Sequence, residues 1–255
     1  MSDLEAILFD VDGTLAETEE VHRISFNEAF KRAGLDWVWS EKLYGVLLEI
    51  SGGKERIRLY LDEHNTAFSR PDDLDGFIAG LHKVKTEVYT STTAAGGIQL
   101  RPGVRRLIEE ARTAGVRLAI ATTTTLANVE ALLTASLHPD SMSWFEVIAA
   151  GSMVPDKKPA PDIYEYTLRE MKLEPAQCVA LEDSSNGLRS AMGTGSGIPT
   201  VITVSHYCQG NDFTGAALVV DHLGEPGQAN QVIAGEGVVK EGMVDLNCLR
   251  GVVGG

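Results

Sequence analysis

Four consecutive apolar residues, Ala6-Ile7-Leu8-Phe9, are followed at once by Asp10, Val11 and Asp12. An unbroken apolar run of this length predicts a strand buried on both faces. The pattern then changes period. Phe26, Ala29, Phe30 and Ala33 recur at i, i+3, i+4 and i+7, one apolar stripe of a helix. KERIRLYLDEH and DLDGFIAGLHKVKTEVY continue the helical pattern, so residues from about 17 to 98 are expected to be almost wholly helical. Thr92 to Gly97, within STTAAGG, reads as a flexible connector. From Pro102 onward, strands and helices alternate. GVRRLIEEARTAG precedes VRLAIA, LANVEALLTAS precedes FEVIAA, PDIYEYTLREMKL precedes CVALE, SNGLRSAMGTG precedes PTVITV, and ALVV adds a further strand. Apolar strands separated by amphipathic helices imply an α/β fold, a Rossmann-like parallel sheet with helices on both faces. The first strand belongs to that sheet, with the helical segment inserted after it. Residues 1–16 and 99–255 are therefore expected to form the core domain and residues 17–98 a helical cap. The Gly-rich stretch after Gly224 predicts no element.

Composition narrows the partners. The 255 residues carry 36 acidic side chains against 22 Lys plus Arg, a formal net charge of −14. Nucleic acid and anionic membrane both need a basic face, so neither is expected. No apolar run approaches the ~18 residues of a membrane span, and no basic region precedes the first strand, so no signal peptide is expected. Cys178, Cys208 and Cys248 are widely spaced without a CxxC pair, which reads as reduced thiols. The expectation is a cytoplasmic monomer, or a stromal one if the source is a plant.

In an open parallel sheet, ligands gather at the carboxyl ends of the strands. Those ends carry Asp10 and Asp12, then Thr122-Thr123-Thr124-Thr125, then Lys157-Lys158, then Glu182-Asp183-Ser184. Taken singly, each has an ordinary explanation as a turn, a helix cap or a solvated loop charge. Four strand ends supplying compatible groups in order are not explained that way. Four acids on one rim call for a positive charge, and an all-oxygen set favours Mg²⁺. A hydroxyl and a lysine beside the metal suit the oxygens of a phosphoryl group. The two aspartates then become a nucleophile and an acid/base.

DVDGT (Asp10–Thr14), AIATT (Ala119–Thr123), KPAPDIY (Lys158–Tyr164) and LEDSSNG (Leu181–Gly187) resemble the four ordered motifs of the haloacid dehalogenase-like phosphohydrolases. The nearer likeness is to the branch with a helical cap after the first strand, which includes β-phosphoglucomutase. ISGGKERI, LAIATTT and GAALVVDHLGEP are similar to the CbbY-type phosphatases associated with Calvin-cycle operons. That family removes a phosphate from xylulose 1,5-bisphosphate, an inhibitory by-product of Rubisco. The resemblance implies that Asp10 attacks phosphorus while Asp12 protonates the sugar oxygen and later deprotonates water. Crowding by carboxylates is expected to raise the pKa of Asp12 toward neutrality. Mg²⁺ is expected on Asp10, the Asp12 backbone carbonyl, Asp183 and Glu182, with Thr122 and Lys158 on the phosphoryl oxygens and Thr123 beside them.

In the cap, Lys54 with the N–H groups of Gly52 and Gly53 is expected to read a second phosphate. Glu17, His22, Tyr44 and Lys85 are further candidate substrate contacts. Arg56, Arg58, Lys83 and Lys85 also fit solvated helix charges, the expectation for most of them, and His22 also fits a packed histidine. One departure is visible: mutase relatives carry Asn shortly after the motif-two hydroxyl, where this chain has Thr124-Thr125-Leu126. The expected function is a Mg²⁺-dependent phosphatase of sugar phosphates. The alternatives are a β-phosphoglucomutase-like mutase and a non-catalytic sugar-phosphate-binding protein.

Overall fold

The N-terminal apolar run forms β1 (Ala6–Phe9), buried along its whole length. The structure, a computed structural model, describes residues 4–151, 153–235 and 239–254. β1 lies parallel between β2 (Arg117–Ala121) and β4 (Cys178–Glu182). β3 (Val147–Ala149) pairs outside β2, while β5 (Thr200–Thr203), β6 (Leu218–Val220) and β7 (Val232–Ala234) continue beyond β4. All pairings are parallel except β6 with β7.

Side chains alternate across a strand, which explains why β1 is apolar at every position. Ile7 and Phe9 enter one core with Leu107, Ile108 and Leu132. Ala6 and Leu8 enter the other with Tyr164 and Leu168. The first core is covered by α5 (Val104–Thr113), α6 (Leu126–Ser136) and α9 (Leu246–Gly254), the second by α7 (Asp162–Met171) and α8 (Ser185–Met192). A fully buried Leu or Ile contributes roughly 1.5–3 kcal/mol, so the two faces together fix where each strand ends.

Between β1 and α5 lie α1 (Glu19–Arg32), α2 (Glu41–Leu47), α3 (Gly53–Leu59) and α4 (Leu74–Ala94). They enclose an aromatic cluster of their own, in which Trp39 lies 4.7 Å from Phe26 and 4.9 Å from Phe30 between ring centres. The two segments joining these helices to the sheet touch each other. Ala16 bridges Leu100 antiparallel, and Arg101 N–H donates to the Leu15 carbonyl at 2.9 Å.

Two expectations are corrected, and a stretch on which the sequence was silent gains elements. The segment 92–97 is not all connector: α4 runs to Ala94, where Thr93 is buried and donates its hydroxyl to the Tyr89 carbonyl (2.8 Å). Ala33 leaves the apolar stripe, because it is the exposed C-cap of α1. The stretch after Gly224 forms β7 and α9, and Val244, Leu246, Cys248 and Leu249 join the main core. Arg106 anchors it by donating to the carbonyls of Leu223, Gly224 and Val244. No helix among the described residues is long and apolar enough to cross a membrane. The three cysteines are free.

Candidate active site

The carboxyl ends of β1, β2 and β4 and the loop after β3 open into a cavity of about 670 Å³, roofed by α1, α3 and α4. At its floor lies a buried ionic cluster. Lys158 Nζ donates to Asp10 Oδ1 (2.6 Å), Glu182 Oε1 (2.6 Å) and the Ala121 carbonyl (2.8 Å). All three of its N–H bonds are thus committed to protein oxygens. Tyr164 on α7 donates to the same Glu182 oxygen, and Thr14 donates to Asp10 Oδ2 at 3.3 Å. Asp183 accepts from Ser205 Oγ at 2.6 Å.

Close backbone approach makes this cluster possible. Gly13 sits at φ +81°, where a Cβ would strike the Asp183 carboxylate. Gly187, in the first turn of α8, leaves the space that the Glu182 carboxylate fills. Ser184 caps that helix, accepting the Gly187 N–H at 3.1 Å.

Electrostatics divide the acids into two sets. Burial, with Glu182 and Asp183 adjacent, raises the pKa of Asp10 against the opposing pull of Lys158. Burial and Glu182 push Asp183 up to about 7, although the Ser205 hydrogen bond opposes this. Lys158 is held charged well above its ordinary value: burial works against it, and Asp10 and Glu182 prevail. Asp12 behaves differently. Burial disfavours its charge, yet His22, Thr18 and Lys85 hold its pKa below the ordinary carboxylate range. The expectation that carboxylate crowding raises Asp12 is therefore corrected. Its Oδ1 points away from the other acids, accepting from Thr18 Oγ1 (2.6 Å) and meeting His22 Nε2 at 2.9 Å. Behind it, Lys85 Nζ meets His22 Nδ1 at 2.6 Å, and the imidazole stacks on Tyr89 at 4.2 Å. Burial lowers Lys85 to about 8.

The acids fit a divalent cation. One ligand atom each from Asp10, Glu182 and Asp183 lies within 4.8 Å of the others, all three residues are buried, and all the donors are oxygen. Glu182 Oε2 is buried with no hydrogen-bond partner, a cost that a cation would offset. The Asp12 side chain is not in this group, which leaves only its carbonyl for the expected role.

Of the residues singled out in the sequence, Asp10, Asp12, His22, Gly52, Gly53, Lys54, Lys85, Thr122, Thr123, Lys158, Glu182 and Asp183 all line the cavity. Two do not. Glu17 turns outward, 3.6 Å from Arg101 Nε and accepting the His206 N–H. Tyr44 is fully buried in the aromatic cluster of the inserted helices, behind Glu19. Arg56 and Lys85 are buried, so the solvated reading fails for both, while Arg58 and Lys83 are exposed.

Several lining residues were missed. His82 and Glu19 each sit three positions from a residue that was singled out, Lys85 and His22, so helical spacing alone could have found them. Tyr164, which stood inside a quoted motif without a role, does not line the cavity but is buried behind it on Glu182. Asn128, one turn into α6, donates Nδ2 to Thr124 Oγ1 at 2.9 Å while its Oδ1 is buried without a partner. An asparagine therefore does reach the motif-two turn, from the helix instead of from the next residue. Arg189 of α8 gave no sequence signal.

A family model described as haloacid dehalogenase-like hydrolase matches residues 4–193. The protein CbbY of Cereibacter sphaeroides is 49% identical over 224 residues, covering 88% of this chain and 94% of that protein. A crystal structure of CbbY (mutant D10N) from Rhodobacter sphaeroides in complex with xylulose-(1,5)bisphosphate superposes with a TM-score of 0.80. It is 49% identical and covers 86% of this chain and 94% of that one. A β-phosphoglucomutase from Clostridium difficile, 20% identical, shares the fold with a TM-score of 0.68 over 86% of this chain and 91% of its own.

Proposed function

This chain belongs to the haloacid dehalogenase-like hydrolases, and from that premise we propose that it is a Mg²⁺-dependent sugar phosphatase acting on xylulose 1,5-bisphosphate through an aspartyl-phosphate. The observation that carries the reading is the cavity itself. Asp10, Lys158, Glu182 and Asp183 form its floor, and Lys54 and Arg189 lie on its wall for a second anionic group. The 49% identical CbbY that binds xylulose-(1,5)bisphosphate supports the choice of substrate.

Asp10 attacks phosphorus in line, and the P–O bond to the sugar breaks as Asp12 gives its proton to the departing oxygen. Water then attacks the phosphoryl group on Asp10 and passes its proton to Asp12, releasing phosphate and the free Asp10 carboxylate. Thr18 and His22 hold Asp12 ionised, which suits the second half of the cycle; for the first, Asp12 takes a proton from solvent as it leaves them for the sugar oxygen. Lys158 offsets the charge of Asp10 and Glu182. An entering phosphoryl oxygen replaces one of its three acceptors, so the lysine's charge follows the transferred group. Thr122 supplies a hydroxyl at the same place. Asp10, Glu182, Asp183 and the Asp12 carbonyl would hold Mg²⁺, which would supply positive charge beside the phosphoryl group. Residues 17–98 act as the cap that shields this chemistry from bulk water.

A panel of sugar mono- and bisphosphates assayed with Mg²⁺ for released phosphate tests the reading. The expected result is a clear kcat/KM preference for xylulose 1,5-bisphosphate. A flat profile would leave a general phosphatase, and transfer to the other end of the sugar without free phosphate would make it a mutase.

A further inference from the structure

We propose that Tyr164 is a positioning residue for the divalent cation: with Lys158 its hydroxyl fills Oε1 of Glu182, which leaves Oε2 of the same carboxylate for the ion. The inference rests on the metal-dependent reading of the site and adds to it a residue of α7 that does not line the cavity. Tyr164 is fully buried in the second core, among Ala6, Leu8, Ile163 and Leu168. In that company the ring of a phenylalanine would pack equally well. A buried hydroxyl costs free energy unless it is hydrogen-bonded. The Tyr164 hydroxyl is bonded, and its acceptor is Glu182 Oε1.

The two oxygens of Glu182 are used differently. Oε1 accepts from Lys158 Nζ at 2.6 Å and from Tyr164, so both of its lone pairs are taken. Oε2 is buried with no hydrogen-bond partner. It lies against the first turn of α8, where Gly187 has no Cβ to displace it. One ligand oxygen of Glu182 comes within 4.8 Å of ligand oxygens from Asp10 and Asp183. With Oε1 saturated, the oxygen that still has lone pairs to give a cation is Oε2.

The choice of a tyrosine has a physical reason. A second lysine would fix the carboxylate as firmly, but it would offset the negative charge that draws a cation. A phenolic hydroxyl donates while neutral and leaves that charge in place. The ring also braces Lys158, whose Nζ lies 5.2 Å from its centre, within the range of a cation–π contact. Lys158 is shared among Asp10, Glu182 and the Ala121 carbonyl and exchanges one of them for a phosphoryl oxygen in the proposed cycle. The Tyr164 hydroxyl has no other acceptor among the described residues. It therefore keeps hold of Oε1 while the lysine changes partners. Hydrogen bonds of this kind behind a metal-binding side chain are worth roughly 10- to 100-fold in metal affinity or activity.

The test measures binding of Mn²⁺, a paramagnetic stand-in for Mg²⁺, from the resonance signal of the free ion. It is run without substrate, so turnover does not enter, and Mg²⁺ is added to displace the bound ion. The proteins are wild type, Tyr164→Phe, Glu182→Gln and the double variant. Tyr164→Phe keeps the ring and the Lys158 bond to Oε1, so the fold is expected to survive, with a near-ultraviolet circular dichroism spectrum like that of wild type. It is expected to weaken Mn²⁺ binding about 10-fold. In Glu182→Gln an amide replaces one carboxylate oxygen, and adding Tyr164→Phe there is expected to change the affinity by less than about twofold. That loss of effect is what a role in packing alone would not produce. Equal weakening in both backgrounds, or unchanged affinity in Tyr164→Phe, would overturn the assignment while leaving the metal reading intact. A wild type that binds no displaceable Mn²⁺ would overturn the metal reading, and this inference with it.

Discussion

His82 projects from α4 into the cavity wall among cations. Burial, then Lys85, Lys54, His22 and Lys157, lower its imidazole to about 3. In the unfolded chain it takes up a proton near 6.5, so between these values the unfolded state binds more protons and stability falls as pH falls. Replacing His82 by Gln is expected to flatten the decline in Tm between about pH 6.5 and pH 4; a decline as steep as in wild type would show that His82 does not carry it. At this scale the sequence was read best where chemistry sits at a strand end. Asp10, Thr122, Lys158, Glu182 and Asp183 were legible because strand ends converge by topology alone. Tyr44 and Glu17 were misplaced because a helix start or a connector can turn either way, and only packing decides which. Asp12 was correctly located but wrongly paired: its neighbours come from α1 and α4, and nothing local reports that His22 and Lys85 meet there.

Among the elements, the joint between cap and sheet is held by Arg101. Its guanidinium donates to the carbonyls of Gly13, Thr203 (2.8 Å), Val204 (2.8 Å) and Asp221 (2.5 Å). One side chain thereby ties the turn after Asp10 to the ends of β5 and β6. Arg101→Leu strips four carbonyls of a shared donor, and it is expected to cost about 3 kcal/mol. Urea denaturation checks this, and a loss under about 0.5 kcal/mol would place the residue with ordinary surface positions. The helices and strands themselves were mostly legible, since LANVEALLTAS and CVALE match α6 and β4 end to end. The end of α4 was not, because Thr93 keeps its helical place through a buried hydroxyl bonded back to Tyr89, where Thr and Gly composition alone argues for a break. Nor was the final helix, whose register depends on Arg106 and on the core it completes.

Over the whole molecule, a formal charge of −14 coexists with a cavity that concentrates lysine, arginine and histidine. Cap and core meet around that cavity at a few polar contacts: Tyr207 donates to Glu20 at 2.8 Å, Asn186 donates to the Glu49 carbonyl at 3.0 Å, and Lys157 lies 3.8 Å from Glu55. Such contacts are individually weak, whereas on the far side α4 packs along α6 and Tyr89 enters the main core. Everything proposed for this arrangement converges on one carboxylate. The most direct test is to acid-quench the enzyme during turnover of xylulose 1,5-bisphosphate and map phosphorylation by peptide mass spectrometry. The account predicts a phosphoryl group on the peptide containing Asp10, and both its disappearance and the loss of turnover in Asp10→Asn. Undiminished hydrolysis by Asp10→Asn, with no phosphopeptide at any time during wild-type turnover, would contradict it.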